Sequence, residues 1–124
     1  MPLHQYVLCY GRDPILLETR RQLLEHAGYD ARSATDELTV EQHLRTGEVS
    51  ILVICHTASR NQVEQIAKFH SQIQSSAAIL FLSRGTWKPP LNPSQIHDAH
   101  SGPAAFLATV GKLCAPQNIL APRN

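Results

Sequence analysis

From Val49 to Cys55 every residue but Ser50 is apolar, and Val49, Ile51, Val53 and Ile54 are β-branched. A run of that length and composition is too short for a buried helix and fits a parallel strand covered on both faces. Such a strand cannot stand alone, because its two apolar faces need layers of other elements above and below. The rest of the chain supplies them. Tyr6 to Tyr10 and Ala77 to Leu82 are two further apolar runs of strand length, Tyr29 to Ala34 fits a short strand of mixed polarity, more like an edge than a centre, and Ile96 to Ala99 fits a short last strand.

Helical patterns alternate with these runs. Gly11-Arg12-Asp13-Pro14 closes the first strand, with Asp13 suited to accept from the free amides of a helix and Pro14 to the first helical position. Leu16, Leu17, Leu23, Leu24 and Ala27 then recur at helical spacing, and Gly28 is a natural left-handed stop. Thr39 with Gln42 makes a capping-box pattern for a short helix carrying Val40 and Leu44 and ending at Gly47. Ser59 with Gln62 repeats the pattern before a stripe of Val63, Ile66, Ala67, His70 and Ile73. Ser101-Gly102-Pro103 opens a last helix with Phe106, Leu107, Val110, Leu113 and Cys114 on its apolar side, and Pro116 is expected to end it. Between the fourth and fifth strands, Trp87-Lys88-Pro89-Pro90-Leu91-Asn92-Pro93 is too rich in proline for a helix and predicts an extended loop.

Strands and helices in this order predict a three-layer α/β domain over residues 1–115 with right-handed crossovers, followed by a loose tail at 116–124. A chain of 124 residues is long enough for one continuous core. Its 17% charged residues and net charge of +1 argue against disorder and against nucleic acid as a direct partner. Cys9, Cys55 and Cys114 are odd in number and far apart, the usage of a reduced, cytoplasmic protein in which cysteine serves as a small hydrophobe. No apolar stretch reaches the roughly 18 residues of a membrane span, and the N-terminus lacks a signal-type pattern. A soluble protein without membrane contact is expected.

The Val7-Leu8-Cys9-Tyr10 strand, the Asp13-Pro14 helix entry, the Ile51 to Cys55 strand and the Ile79 to Ser83 strand together resemble the CheY-like receiver domain of bacterial response regulators. The resemblance covers nearly the whole chain, to about Cys114. It implies a flavodoxin-like parallel sheet of five strands in the order 2-1-3-4-5, with the usual helix between strands 4 and 5 replaced here by the proline-rich loop. It also implies a reaction site whose residues have mostly changed. Receivers hold magnesium with an acidic pair after the first strand, and the matching positions are Gly11 and Arg12, leaving Asp13 as the carboxylate there. A hard cation needs oxygen ligands, and an arginine brings a fixed positive charge instead. The aspartate that accepts the phosphoryl group matches Cys55, the hydroxyl that reports it is kept as Ser83, and the Lys-Pro pair after the fifth strand has no counterpart between Ile96 and Gly102. No cofactor and no metal are expected.

In that strand order the carboxyl ends of the first, third and fourth strands converge on a crevice gathering Gly11, Arg12, Asp13, Cys55, His56, Ser83 and Arg84. One reading is a small anion pocket, with Arg12 and Arg84 as cations and Ser83 as a hydroxyl donor; the other is that Arg12 pairs with Asp13 or lies in solvent. Cys55 and His56 are neighbours on a strand and point to opposite faces, so they do not form a nucleophile and its base. Arg60 falls one residue short of the spacing of a cysteine-phosphatase loop, and the glycines that would cradle phosphate are missing. Of seven histidines only His97 and His100 are close enough to suggest a shared metal, at an unspecific spacing. Trp87, flanked by prolines, is either a lid on the core or an exposed anchor for a partner. The sequence thus favours a non-enzymatic, phosphorylation-independent signalling module that binds another protein, such as a histidine kinase or other two-component protein, as a monomer or homodimer. The alternative is an anion-binding or thiol-dependent protein using the same crevice.

Overall fold

The five strand-like runs pair as one parallel sheet in the computed structural model, which describes residues 5–55, 59–73, 77–83, 95–98 and 102–119. The strands are β1 (Tyr6–Tyr10), β2 (Ala31–Ala34), β3 (Val49–Ile54), β4 (Ala78–Ser83) and β5 (Gln95–Asp98), ordered β2-β1-β3-β4-β5 across the sheet. Among the described residues α1 (Pro14–His26), α2 (Glu37–Thr46) and α3 (Arg60–Ile73) connect successive strands, and α4 (Pro103–Ile119) follows β5. The strand order and the two packed faces are the expected ones of a three-layer flavodoxin-like domain. The proline-rich segment between β4 and β5, with Trp87, lies outside the described residues, as do His56, Arg84 and His100.

Period-two alternation explains why the central strands are apolar throughout. On one face Tyr6, Leu8, Tyr10, Leu52, Ile54, Ile79 and Phe81 pack with Val40 and Leu44 of α2 and Val63 and Ile66 of α3. On the other, Val7, Cys9, Ile51, Val53, Cys55, Leu80 and Leu82 pack with Leu17 and Leu24 of α1 and Phe106 and Val110 of α4. One irregularity sets the register. Tyr6 pairs with Val49 but Val7 with Ile51, and the skipped Ser50 turns its hydroxyl to the Tyr6 carbonyl at 3.1 Å. Without that extra residue the alternation of β3 would be offset against β1 at one end.

The helix ends follow the expected chemistry with two exceptions. Asp13 caps α1, Gly28 is left-handed at φ 99° just past its end, and Ser59 and Gln62 form the reciprocal capping box of α3. At α2, however, the cap is Asp36 and not Thr39: the Asp36 carboxylate accepts from the Thr39 amide at 2.8 Å, and the helix begins at Glu37. Asp36 stands three residues before Thr39, so the residue expected as the cap instead supplies one of the orphan amides of the first turn. The second exception is α4, which continues through Pro116 to Ile119 rather than stopping. Proline's φ is helical, and the cost falls on the carbonyl of Lys112, four residues earlier, which loses its donor. Among the described residues no helix is long and apolar enough to cross a membrane.

Candidate functional site

The carboxyl edge of the sheet is assembled by the register of its strands. Tyr10 pairs with Ile54 and Ile54 with Phe81, and the Cys55 amide donates to the Tyr10 carbonyl at 2.8 Å, so Gly11 and Cys55 are neighbours beyond the strand ends. Ser83 ends β4 and pairs with Asp98, the last residue of β5. The Gly11 amide reaches across to the Ala34 carbonyl at 3.4 Å, tying the exit of β1 to that of β2. The backbone therefore gathers Gly11, Arg12, Asp13, Cys55 and Ser83 at one edge, while His56 and Arg84 of the predicted crevice fall outside the described residues. The side chains of Ser83 and of β5 are likewise outside them.

Asp13, the carboxylate left in the turn after β1, is committed to the helix. Its Oδ1 accepts from the Ile15 amide at 3.0 Å and the Leu16 amide at 3.3 Å. Those are the orphan donors of α1, and an anion there is also favoured by the helix dipole. Arg12 beside it is exposed, and Gly11 offers no side chain. Among the described residues no group of three or more histidine, cysteine, aspartate or glutamate side chains is placed to hold a metal ion.

Cys55 is 1% exposed and belongs to the apolar cluster under α1 and α4, with Leu17, Leu82, Phe106 and Val110. The parity of β3 sends it there: Ile51, Val53 and Cys55 share a face. Burial pushes its thiol above the ordinary value, with the charge of Arg20 acting in the opposite sense. Cys9, on the same face of β1, is pushed up mainly by burial and then by Cys55. Thiols so placed hold their protons at neutral pH, and the thiolate is the reactive form.

A hydrogen-bonded cluster that the sequence reading missed lies on the opposite side of the same edge. The buried Tyr10 hydroxyl donates to Glu37 Oε2 at 2.7 Å, and Gln62 Nε2 donates to the same oxygen at 3.2 Å. Gln62 also accepts from the Ser59 amide at 2.9 Å, so one amide side chain caps α3 and bridges it to α2. Burial, then the bond to Glu37, raises the Tyr10 phenol well above its usual range, and Arg12 opposes this. Asp36, Glu37, Leu38, Asn61, Gln62, Gln65 and Phe69 line a groove of about 430 Å³ between the two helices here. The signals for this cluster were a tyrosine closing an otherwise apolar strand and a glutamate directly after a capping aspartate, but Tyr10 and Glu37 meet only once the register of β1 is known.

No protein-family model matches the sequence, and no curated relative does. Solved structures do match in fold. Chemotaxis protein CheY4 of Vibrio cholerae superposes with a TM-score of 0.73 at 16% identity, over 90% of this chain and 99% of that one. The N-terminal domain of a response regulator/sensory box/GGDEF three-domain protein from Carboxydothermus hydrogenoformans gives 0.75 at 13% identity, over 95% and 100%. The signal receiver domain of an HD domain-containing protein from Pseudomonas fluorescens Pf-5 gives 0.71 at 14% identity, over 100% and 96%. The chain therefore has the CheY-like receiver fold over nearly its full length, at identities that carry the fold alone.

Proposed function

We propose that this chain is a receiver-type module of two-component signalling that acts by binding a protein partner and accepts no phosphoryl group. The observation that carries the reading is the state of the reaction edge. The carboxylate after β1 caps a helix, and the residue at the acceptor position, Cys55, is a 1% exposed thiol in the apolar core. Phosphoryl transfer is catalysed by positioning and by neutralising charge on the transferred group, which a receiver does with a metal held between carboxylates. Gly11 and Arg12 offer no such ligands, and a buried protonated thiol offers no nucleophile. A receiver fold without that chemistry is left with association as its means of action, and a histidine kinase or another two-component protein is the partner class that the fold suggests.

Incubation with acetyl phosphate and magnesium, followed by intact mass spectrometry, tests this. The protein is expected to stay unmodified. A gain of one phosphoryl group that is lost with a chelator or with Cys55→Ser would overturn the reading. The burial of Cys55 likewise weighs against the thiol-dependent alternative.

A further inference from the structure

At the opposite end of β1 from the carboxyl edge, a buried hydroxyl is held by a half-buried histidine that the proposed function does not use. Tyr6 opens β1 and is 2% exposed, and its hydroxyl meets Nδ1 of His43, in the last turn of α2, at 2.5 Å. The two rings meet edge to face with their centroids 5.5 Å apart. Arg32 of β2 lies over the Tyr6 ring, its guanidinium carbon 3.9 Å from the centroid, and pairs with Asp30 at 3.3 Å. Among the described residues the hydroxyl has no other acceptor, so it donates to Nδ1 and fixes His43 as the neutral tautomer with its proton on Nε2.

A proton on Nδ1 would turn that acceptor into a donor. The buried hydroxyl would then lack a partner, and the imidazolium would stand in the field of Arg32. The other charges about α2 are placed elsewhere. The elements packed against it are α3, β1, β2 and β3. Of the titratable groups on α3, His70 is turned to the Ala77 carbonyl at 3.0 Å, and Arg60, Glu64 and Lys68 are exposed. On α2 itself Arg45 pairs with Glu41 at 2.7 Å, and Glu37 is held by Tyr10 and Gln62 at the far end of the helix. Glu48, just before β3, gives its carbonyl to the Tyr6 amide. The charge that acts on His43 is that of Arg32, and it acts in the same direction as burial, against the protonated ring. Val40 and Leu44 hold the body of α2 to the core, while Arg45, Thr46 and Gly47 beyond them are exposed.

We propose that His43 is an acid-released latch: the neutral ring fastens the last turn of α2 to Tyr6, and on protonation the ring, repelled by Arg32, leaves the hydroxyl for solvent and the turn from His43 to Gly47 opens while the sheet stays folded. In the open state the ring recovers its ordinary pKa of 6.5 and binds a proton more readily than in the closed one, so acid shifts the population toward opening. The latch is local, and it does not rest on whether the module binds a kinase or accepts a phosphoryl group.

Amide hydrogen exchange followed residue by residue by NMR, corrected for the intrinsic effect of pH, tests it alongside the ring resonances of His43. Between about pH 7.5 and about 5, protection at Leu44, Arg45 and Thr46 is expected to fall about tenfold or more as His43 titrates, while Leu52 and Val53 of β3 keep theirs. His43→Gln keeps an acceptor for the hydroxyl without a charge, so the fall should vanish. Arg32→Gln removes the opposing cation, so the midpoint of the fall should move to higher pH. Circular dichroism at neutral pH checks that both variants are folded. A His43 that titrates with no local loss of protection, a loss shared equally by β3, a fall that persists in His43→Gln, or a midpoint unmoved by Arg32→Gln would each overturn the proposal.

Discussion

Two sides of one sheet edge use their residues in different ways. Under α1 and α4 the edge ends in Cys55, a thiol closed in by Leu17, Leu82, Phe106 and Val110 with its proton held by burial. Under α2 and α3 it ends in Tyr10, whose hydroxyl is handed to Glu37 and, through it, to Gln62 and the cap of α3. Polar groups survive on the second side because each has a partner and contributes to joining strands to helices. On the first side the strand end is packed into the core. The difference shows that one sheet edge can be closed in two ways: by apolar packing on one face and by polar side chains that tie strands to helices on the other.

The largest expected effect comes from putting charge on the packed side. Cys55→Asp should destabilise the protein by about 1 to 3 kcal/mol in chemical denaturation, the cost of a buried polar group left without partners. A neutral result would mean that the site is wetter than its 1% exposure implies and would erase the contrast. Next is the cap that anchors the tied side. Ser59→Ala should cost about 1 kcal/mol, the usual size for losing a capping hydroxyl, and should loosen Gln62 as well. Tyr10→Phe should cost about 1 kcal/mol, since it removes one hydrogen bond and keeps the ring in the core. In a double-mutant cycle Tyr10→Phe and Gln62→Ala should be non-additive because both bonds end on one Glu37 oxygen; simple additivity would show that the cluster does not act as a unit.

The smallest effect concerns pH and lies at the far end of the sheet. His43 Nδ1 meets the Tyr6 hydroxyl at 2.5 Å, and Arg32 stacks over the Tyr6 ring at 3.9 Å. Burial, then the charge of Arg32, lowers the His43 pKa from its ordinary 6.5. A base whose folded pKa is depressed binds fewer protons folded than unfolded, so its contribution is complete above about pH 6.5 and fades as the pH falls through and below that value. Denaturation midpoints measured from pH 7.5 down to about 5 should decline in the wild type and decline less in His43→Gln.

Much of this was legible in the sequence, and the reason differs by element. Length and nearly unbroken apolar character exposed β1, β3 and β4, with β-branching adding to the case for β3, and capping chemistry placed the starts of α1 and α3, because these are local properties. Parity separated Cys55 from His56 in the sequence, and in the structure the same parity puts Cys55 on the face of Ile51 and Val53. Thr39 misled because a threonine with a glutamine three residues on matches a capping box wherever an aspartate three residues before it does the capping instead. The Tyr10–Glu37–Gln62 cluster was not legible, since its members are brought together by the register of separate elements and no spacing announces them. Pro116 shows the limit of a breaker signal, which marks a cost and leaves the helix free to continue.

The central claim is that the reaction edge lacks both its acceptor and the ligands that make an acceptor work. The most direct measurement is phosphodonor labelling, read by intact mass with magnesium and acetyl phosphate, of Cys55→Asp beside the triple change Gly11→Asp, Arg12→Asp, Cys55→Asp, each checked for fold by circular dichroism. The account predicts no label on Cys55→Asp, because its carboxylate has no metal to receive the incoming charge, and magnesium-dependent labelling of the triple variant. Efficient labelling of Cys55→Asp alone would contradict it.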